Sequence, residues 1–489
     1  MKKLASLINF NYIAYFLIIV FVIVFVILSF GRHDALKSYG NDLGFYNQAV
    51  WNTAYGHFFQ YSSGMNNETN LLTTRFSLIL LFFVPFYWII ATPKWLLLFQ
   101  ALSVGASAIP VYLIAKDKLK SEKLGLVFLL SYLFYPVLHN GLLYDFHEVV
   151  FAVAFAAWAF YFMEKKNDKG FIICCILIAL SQEYLALIVI MLGLYQAYVK
   201  KRWKFGLIVS VTAIFYFVFL TGYLMPQISK AGEHGMLSNK KFSYYGWLGS
   251  SLPEIVKTLV TRPGYIYENL ATFSRAQYLF HLVLPVFSLG AFSWPVVITF
   301  PILALYFLSM TPMTYTIYFY HGVILAPFIY FSAIYTFERW FEGNNFLRYS
   351  FAGLVIIFSV GSAMVLGLSP LGIYNKTSDY VSTDHARLIS QIEKMIPGSA
   401  SLSAQHNLSP HFSGREKIYA FPVMRESADY ILVDTFDPYA DNGHQLTSFG
   451  YAIQMDINEW KAEIEKVNED KNYEKIYDND GWLLFERIK

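Results

Sequence analysis

Between Tyr39 and Phe76 the sequence reads YGNDLGFYNQAVWNTAYGHFFQYSSGMNNETNLLTTRF. This stretch follows the first long apolar run and is the first long polar interval of the chain. It has few charges, many aromatic residues and several amides, and its first acid, Asp42, stands where the chain leaves the bilayer. We predict that the stretch forms the floor of an active site on the outer face of a membrane.

The composition is that of a polytopic membrane protein. Of the 489 residues, 56% are hydrophobic and only 15% are charged. Apolar runs of about 16–22 residues recur, which is the length that a helix needs to cross a hydrocarbon core of about 30 Å. Membrane lipids are therefore the expected surroundings, and we expect no nucleic-acid partner.

The basic residues set the expected orientation, because short cytoplasmic loops carry an excess of Lys and Arg. Lys2 and Lys3 place the N-terminus in the cytoplasm. The run Tyr12–Phe30 is too long for the core of a signal peptide and lacks a cleavage site, so it reads as a retained first span. We therefore predict a multi-pass protein of the plasma membrane with residues 31–76 outside.

The segment Ser77–Ile90 is ambiguous, since it is short for a span and contains Pro85. If it and Trp95–Ala115 both crossed, the loop Lys116–Lys123 would lie outside with four lysines, against the positive-inside rule. We predict that Ser77–Ile90 lies along or dips into the outer leaflet, so that the lysine loop returns to the cytoplasm.

Beyond this loop the apolar runs alternate with basic and polar loops, which gives about eleven spans. One run, Gly170–Val199, is broken by Ser181-Gln182-Glu183, where two short helices should meet near the outer side. Met225–Tyr278 forms a second long outer loop. We predict an all-α polytopic membrane domain over residues 1–368.

The composition changes at Ser369, and residues 369–489 have the length of a small soluble domain. Helix signals cover Thr383–Ile396 and Trp460–Asn468. The expected strands are Ser399–Ala404, Lys417–Phe421, Tyr430–Asp434 and Gly481–Ile488. An odd number of spans puts this α/β domain outside the membrane.

Each of the outer acids can be interpreted either as a residue that caps a helix or as a functional residue. Asp42 precedes apolar residues at helical spacing, so it would cap an amphipathic helix that Gly56 ends. Asp145 and Glu148 match a capping box, worth about 1 kcal/mol to a helix. His147 between the two acids is not explained by capping, and both interpretations stay open.

Glu183 is harder to explain as a structural residue because apolar residues flank it on both sides. An ionised carboxylate at the bilayer centre costs about 2.5–3.5 kcal/mol on insertion scales. We expect Glu183 to face a water-filled cavity, a cation, or both.

Cations accompany these acids on the outer side. Arg75 closes the first outer loop, and Tyr320 and His321 begin a late span. The second outer loop carries Lys240, Lys241, Arg262 and Arg275. Guanidinium and imidazolium groups bind phosphate, while an acid accepts a hydroxyl proton, so the pattern suits a phosphate-bearing lipid substrate.

An acid in the loop after the first span, a second acid after the third, and a soluble outer C-terminal domain together resemble the glycosyltransferase C superfamily. Asp42 matches the first acid by position, and Asp145 or Glu148 matches the second.

The chain more closely resembles an uncharacterised prokaryotic membrane protein family, domain of unknown function 2079. The residues that carry this likeness are Asp42–Thr53, Arg75-Phe76-Ser77, Tyr144–Glu148, Gln182-Glu183, Tyr320-His321 and Ser403–His411. Arg75 stands where the family pattern has His, and Glu148 where Pro is usual, so Glu148 is a weaker match than Asp145. That family has no assigned reaction, so the chemistry follows by analogy of fold.

The distant resemblance implies a glycosyltransferase that takes a sugar from a polyprenyl-phosphate-linked donor to an unknown acceptor, with inversion. Its implied catalytic residues are Asp42, Asp145 and Glu183. Its implied substrate-binding residues are Arg75, His147, Glu148, Tyr320, His321, Gln48 and Asn52. Mg²⁺ or Mn²⁺ would bind to Asp42, Asp145 and Glu148 if these carboxylates converge.

The C-terminal domain is expected to bind the acceptor or to act as a lid. Its Gln405–His411 segment follows an expected strand, and its two histidines suggest either a metal site or a loop with satisfied polar groups. Two other functions stay open for the whole chain: a transporter or flippase of a lipid-linked or polar solute, and a non-catalytic envelope assembly protein.

Overall fold

The structure, a computed structural model, describes residues 9–63, 69–229, 243–373, 375–435 and 457–488. Lys240 and Lys241, which the sequence singles out, lie outside these ranges. The chain forms two compact units. The first unit comprises Met1–Ile27, Leu72–Ile79 and Leu98–Asn375, and the second comprises Leu28–Leu71, Leu80–Leu97 and Lys376–Lys489.

Long apolar helices dominate the first unit. Among the described residues, five helices are long and apolar enough to cross a membrane, namely Phe10–Asp34, Lys94–Leu119, Trp203–Ile228, Tyr320–Phe341 and Asn345–Leu366. A sixth span forms if Glu122–Leu133 and Pro136–Leu143, bent by 41°, act together. Several of the eleven expected spans are instead shorter helices, so the expected count exceeds what length and composition support.

The remaining helices of the first unit are short. Those of eight or more residues are Val153–Glu164, Asp168–Ser181, Ala186–Tyr198, Leu252–Thr261, Pro263–Leu270, Phe273–Val283 and Phe300–Leu308. At 1.5 Å per residue, a helix of 13 residues covers only about 20 Å. Such helices span a bilayer only in combination or lie partly within it.

The expected break in the run Gly170–Val199 is confirmed. The helix Asp168–Ser181 stops there, a 3₁₀ turn covers Glu183–Leu185, and the helix Ala186–Tyr198 follows. Close packing of the second helix on Trp203–Phe219 requires glycine, because a Cβ at Gly193 would lie 2.7 Å from the Gly206 carbonyl oxygen. The sequence therefore builds a tight helical layer that begins at Glu183.

Polar contacts tie the start of the first helix to the lysine loop. Lys116 Nζ lies 2.9 Å from Asn11 Oδ1, and Tyr112 donates to the same oxygen at 3.0 Å. The start of Phe10–Asp34 thus lies beside the end of Lys94–Leu119, as expected of two helices that run in opposite directions.

The segment 77–90, which lies between these two helices in the sequence, is too short to add a crossing. It forms a 3₁₀ helix over Leu78–Phe83 and one α-helical turn over Val84–Tyr87. These ten residues extend on the order of 18 Å, well short of a hydrocarbon core of about 30 Å. The expectation that this segment does not cross the membrane agrees with its length.

The basic loops of the first unit gather at one end. Lys165 pairs with Asp117 at 2.6 Å, Lys200 pairs with Glu164 at 2.5 Å, and Arg348 donates to the Leu119 carbonyl at 2.7 Å. Loops that the positive-inside rule assigns to one side therefore do lie together.

The second unit contains a two-stranded hairpin and a five-stranded mixed sheet. The strands are β1 (Gln60–Tyr61), β2 (Thr69–Asn70), β3 (Leu402–Ala404), β4 (Ile418–Ala420), β5 (Tyr430–Asp434), β6 (Tyr473–Asn479) and β7 (Trp482–Arg487). The sheet has the order β4-β3-β5-β7-β6. β3 pairs in parallel with β4 and β5, whereas β7 is antiparallel to β5 and β6.

Four of these strands are the ones expected from the sequence: β5 has the expected bounds, and β3, β4 and β7 are slightly shorter than expected. β6 was not expected, because its residues are mostly exposed at the sheet edge and lack a regular apolar alternation. Alternate residues of the central strand face two cores: Leu432 packs with Leu484 and Trp482, and Ile431 packs with Phe485.

Helices cover both faces of this sheet. The expected helix at Thr383–Ile396 forms two short pieces, Asp384–Arg387 and Ile389–Met395, and Thr383 caps the first by accepting from the Ala386 N–H. Ile457–Glu469 covers the other face, in agreement with the helix expected near Trp460. The C-terminal part of the chain is thus an α/β layer structure.

The opening stretch also belongs mainly to the second unit. Gly40–Gly44 forms a π-helical turn, and the helix Phe45–Ala54 follows with Gly44 at its N-cap. The expectation that Asp42 caps this helix is therefore wrong, because Asp42 lies inside the preceding turn. The expectation of a surface amphipathic helix is also wrong, since seven of its ten residues are buried.

Candidate functional site

Two glutamates of the first unit, Glu148 and Glu183, are completely buried. Three consecutive residues contact them. Arg75 Nη1 lies 3.8 Å from Glu148 Oε1, and the Ser77 hydroxyl donates to the same oxygen at 3.3 Å. The backbone N–H of Phe76 donates to Glu183 Oε2 at 2.9 Å. The two carboxylates thereby fix the segment that carries Arg75.

The helix break explains why Glu183 can serve as an acceptor. Gln182, in extended conformation, separates the helix Asp168–Ser181 from the 3₁₀ turn that Glu183 begins. A side chain at such a break leaves the regular packing of the helix pair. The hydrogen bond from the Phe76 N–H offsets part of the cost of burying this carboxylate, and the expected water-filled cavity or cation beside Glu183 stays a prediction.

Gln100 holds the bend before Glu148. Its side-chain amide donates to the Asp145 carbonyl at 2.9 Å, and its oxygen accepts from the His147 N–H at 2.7 Å. Asp145 has φ +115°, a region that costs a non-glycine residue on the order of 1–3 kcal/mol. The expected capping box is wrong, because His147 is the N-cap of Glu148–Phe151 and makes no side-chain cap bond.

Aromatic rings pack around the histidines. The His147 ring stacks on Tyr320 with centroids 3.4 Å apart and planes 14° apart. Tyr320 also contacts His321, with centroids 4.1 Å apart. Tyr306 donates to the His321 carbonyl at 3.1 Å. His321 Nδ1 is buried and has no hydrogen-bond partner within the part of the chain that the structure describes.

Direct contacts join most of these groups into one site. Arg75 pairs with Glu148, the residue after His147, and the His147 ring stacks on Tyr320, which contacts His321. We call this set, all in the first unit, the polar cluster; it consists of Arg75, His147, Glu148, Glu183, Tyr320 and His321. A guanidinium beside imidazoles suits phosphate oxygens, and the buried carboxylates orient these donors.

The expected metal site lacks a preassembled set of ligands. Over the described ranges, no group of three or more His, Cys, Asp or Glu side chains is arranged to hold a metal ion. Asp145 and Glu148, with Asp42, stay the predicted ligands for Mg²⁺ or Mn²⁺.

Asp42 belongs to the second unit and is partly exposed in the turn Gly40–Gly44. The turn is held by the Ser63 hydroxyl, which donates to the Gly40 carbonyl at 3.1 Å, and by the His406 carbonyl, which accepts from the Gly40 N–H at 2.9 Å. His406 was considered in the sequence only as a loop or metal residue. Its position beside Asp42 follows from the fold, since nothing in the sequence links residues so far apart.

Gln48 and Asn52, expected to bind substrate, are buried in the second unit and engaged internally. Gln48 accepts from the N–H groups of Ser62 and Ser63 at 2.9 and 2.8 Å, and it donates to the backbone carbonyls of residues 415–416. Asn52 donates to a carbonyl of β1 at 2.8 Å. These bonds give both amides a structural role.

A solved structure shares the fold of the whole chain. The structure of ArnT from Cupriavidus metallidurans bound to undecaprenyl phosphate matches with a TM-score of 0.53 at 9% identity. The match covers 96% of this chain and 98% of that chain. The likeness shows that this chain shares the overall fold of that structure. A search of the curated proteins finds no match.

The family is decided by the sequence itself. Residues 32–484 match the family model described as predicted membrane protein DUF2079. The match covers Asp42, the polar cluster and all of the sheet of the second unit except the end of β7. The chain belongs to the DUF2079 family of predicted membrane proteins.

Proposed function

We propose that the protein is an integral-membrane glycosyltransferase that moves a sugar from a polyprenyl-phosphate-linked donor to an acceptor on the extracytoplasmic face. The observation that carries the proposal is the polar cluster, where Arg75 pairs with the buried Glu148 and the stacked pair of His147 and Tyr320 leads to His321. The fold shared with ArnT, whose structure holds undecaprenyl phosphate, supports the same donor class.

Arg75 and His321 bind the donor phosphate in this proposal. A guanidinium presents five N–H donors in a planar fork that matches phosphate oxygens, and Glu148 orients it from 3.8 Å. His321 Nδ1, buried without a partner in the described ranges, supplies a further hydrogen bond. The stacked pair of His147 and Tyr320 forms the adjoining wall.

Glu148 and Glu183 act as positioning residues. Both are buried and hold the segment 75–77, which delivers Arg75 to the phosphate. Glu183 was expected to be catalytic, but its hydrogen bond to a backbone N–H suits a residue that fixes geometry. Asp145 stays a candidate acid because its backbone is held in a strained conformation.

Asp42 is the proposed base. The acceptor hydroxyl loses its proton to Asp42 as its oxygen bonds to C1 of the sugar. The bond from C1 to the phosphate oxygen breaks, and its electron pair stays on the phosphate, so that the configuration at C1 inverts. Arg75 and His321 stabilise the charge on the leaving phosphate.

An apolar cavity near Glu183 suits the prenyl chain. It has a volume of about 350 Å³ and lies among the helices Asp168–Ser181, Ala186–Tyr198 and Trp203–Phe219. Two of its lining residues, Leu180 and Val189, belong to the two helices that meet at Glu183. The cavity thus lies along the helix pair that carries a member of the polar cluster, which suits a donor with a charged head and an apolar tail.

The basic loops that lie together at one end of the first unit support an orientation in the membrane. We propose that the loops around Asp117, Glu164 and Lys200 lie in the cytoplasm with the N-terminus. Arg348, near the start of Asn345–Leu366, belongs to the same end, so this helix carries the chain across to the outer side. The sheet of the second unit is then extracytoplasmic.

The proposal is tested by sugar transfer in lipid nanodiscs. Radiolabelled undecaprenyl-phosphate-linked glucose, mannose, galactose and N-acetylglucosamine serve as donors, with total envelope extract as acceptor. Wild type should transfer label from at least one donor, and Asp42→Asn should not. Full transfer by Asp42→Asn would remove Asp42 as base, and no transfer by wild type from any donor would contradict the function.

One observation favours a second function, that of a transporter or flippase. Transporters bind their substrates at broken helices, and Glu183 is a buried acid at such a break. Solute uptake that depends on Glu183 but not on Asp42 would support this alternative. An unchanged envelope composition with loss of an assembled complex would indicate an assembly protein.

A further inference from the structure

We propose that His406 of the second unit positions the acceptor, by donating a hydrogen bond to the hydroxyl oxygen whose proton Asp42 removes. The inference rests on the proposed function and assigns a task to the C-terminal sheet. His406 lies two residues after the end of β3, so the sheet places this residue against the turn Gly40–Gly44.

Two contacts lock His406 to that turn. The Gly40 N–H donates to the His406 carbonyl at 2.9 Å. The His406 ring stacks on Tyr39, with centroids 5.5 Å apart and planes 23° apart. The backbone and the ring are thus both fixed relative to the residues that lead into Asp42.

One ring nitrogen of His406 is left for a ligand. His406 is only 4% exposed, and within the described ranges its Nδ1 has no hydrogen-bond partner. A buried polar atom without a partner destabilises a fold, so its presence points to a partner that binds transiently.

Glycine at position 40 keeps space beside this nitrogen. A Cβ on Gly40 would lie 3.0 Å from His406 Nδ1 and 3.0 Å from the Ser409 Cβ. Any larger residue would therefore crowd the atom that we assign to the acceptor.

The charge state of His406 suits a hydrogen-bond donor. Burial lowers the pKa of His406 to about 4, although the nearby Asp42 acts in the opposite direction. At neutral pH the imidazole is uncharged and carries one N–H. If Nδ1 carries that proton, it donates to the hydroxyl oxygen and leaves the hydroxyl proton to face Asp42.

Three substitutions separate this role from a structural one. His406→Phe keeps a ring to stack on Tyr39 but removes the nitrogen. His406→Asn places an amide atom near the position of Nδ1, whereas His406→Gln places one near Nε2. We expect transfer to envelope extract to fall roughly tenfold in the Phe and Gln variants and to be retained in the Asn variant.

Two further readouts accompany the transfer assay. Binding of undecaprenyl phosphate, measured by native mass spectrometry, should be unchanged in all three variants because His406 acts on the acceptor. Melting temperatures should match wild type for His406→Phe if stacking is retained. Equal loss in the Asn and Gln variants, in proportion to lowered melting temperature, would assign His406 a structural role and overturn the proposal.

Two outcomes separate a failure of the role proposed for His406 from a failure of the glycosyltransferase function. If Asp42→Asn abolishes transfer while His406→Phe transfers normally, the inference about His406 is wrong and the glycosyltransferase function stands. If wild type transfers no sugar from any donor, both are wrong.

Discussion

The backbone N–H of Phe76 donates a 2.9 Å hydrogen bond to the carboxylate of Glu183, 107 residues further along the chain. A buried carboxylate that accepts from a backbone N–H fixes a chain segment more firmly than apolar packing alone. Here it fixes the residue next to Arg75, on which the proposed phosphate site depends.

Glu183→Gln should retain sugar transfer, because the amide oxygen still accepts from Phe76. Glu183→Leu should lose activity and stability, since a buried N–H left unpaired costs about 1–3 kcal/mol. Transfer rates and thermal unfolding of both variants in detergent check this. Complete inactivity of a stable Glu183→Gln protein would show that the carboxylate itself takes part in the reaction.

Arg75→Gln should weaken the binding of undecaprenyl phosphate about tenfold or more, because a charged hydrogen-bond donor is lost. Arg75→Lys should restore only part of it, since an ammonium group lacks the planar fork. Native mass spectrometry of lipid-loaded protein measures the effect. Arg262→Gln, an exposed site in the second outer loop, is the matched control. Equal binding by the Arg75 and Arg262 variants would remove Arg75 from the phosphate site.

Ala213→Trp should fill the apolar cavity and reduce the binding of undecaprenyl phosphate. Ala213 is buried and lines the cavity, whereas Val211 on the same helix is 62% exposed. Val211→Trp therefore adds the same side chain outside the cavity and should bind the lipid normally. If both variants bind as wild type does, the prenyl chain lies elsewhere.

His385 should make the stability of the second unit depend on pH. Its ring nitrogens lie 3.0 Å from Asp434 and 3.0 Å from Asp480. Burial lowers the pKa of His385, but the two carboxylates outweigh it and raise the pKa above its ordinary value.

Because the folded state holds this proton more tightly than the unfolded state, the stabilisation is complete below about pH 6.5 and is lost as the pH rises through the folded pKa. The melting temperature should therefore fall across that window in wild type. His385→Asn should flatten the profile, and an unchanged profile in that variant would assign the pH dependence to other groups.

A cysteine at Ser121 should resist an impermeant thiol reagent in intact cells and react after permeabilisation, because its loop gathers with the basic loops. A cysteine at the exposed Ser427 of the second unit should react in intact cells. The natural Cys174 and Cys175 are buried and give the background. Labelling of Ser121→Cys in intact cells would reverse the proposed orientation.

Local sequence signals predicted the elements whose structure depends on nearby residues. The break at Ser181-Gln182-Glu183 was predictable because polar residues interrupt an apolar run. The strands β3, β4, β5 and β7 were predictable because they are short apolar runs between turn residues. β6 was missed, since an exposed edge strand needs no apolar alternation.

Contacts between distant residues could not be predicted. Ser77 and Glu148 are 71 residues apart, and no local pattern joins them. The capping explanations for Asp42 and Asp145 failed for a related reason. Hydrogen bonds of distant residues, Ser63 and His406 with Gly40 and Gln100 with Asp145, determined the backbone there and overrode the local preference. The five internal hydrogen bonds of Gln48 were equally unpredictable, because their partners come from separate segments.

Release of undecaprenyl phosphate from an undecaprenyl-phosphate-linked sugar tests the central claim most directly. Mass spectrometry follows the lipid product in nanodiscs supplied with envelope extract. The proposed function predicts that wild type releases one undecaprenyl phosphate for each sugar transferred and that Asp42→Asn releases none. Release no faster than in empty nanodiscs, for every donor supplied, would contradict it.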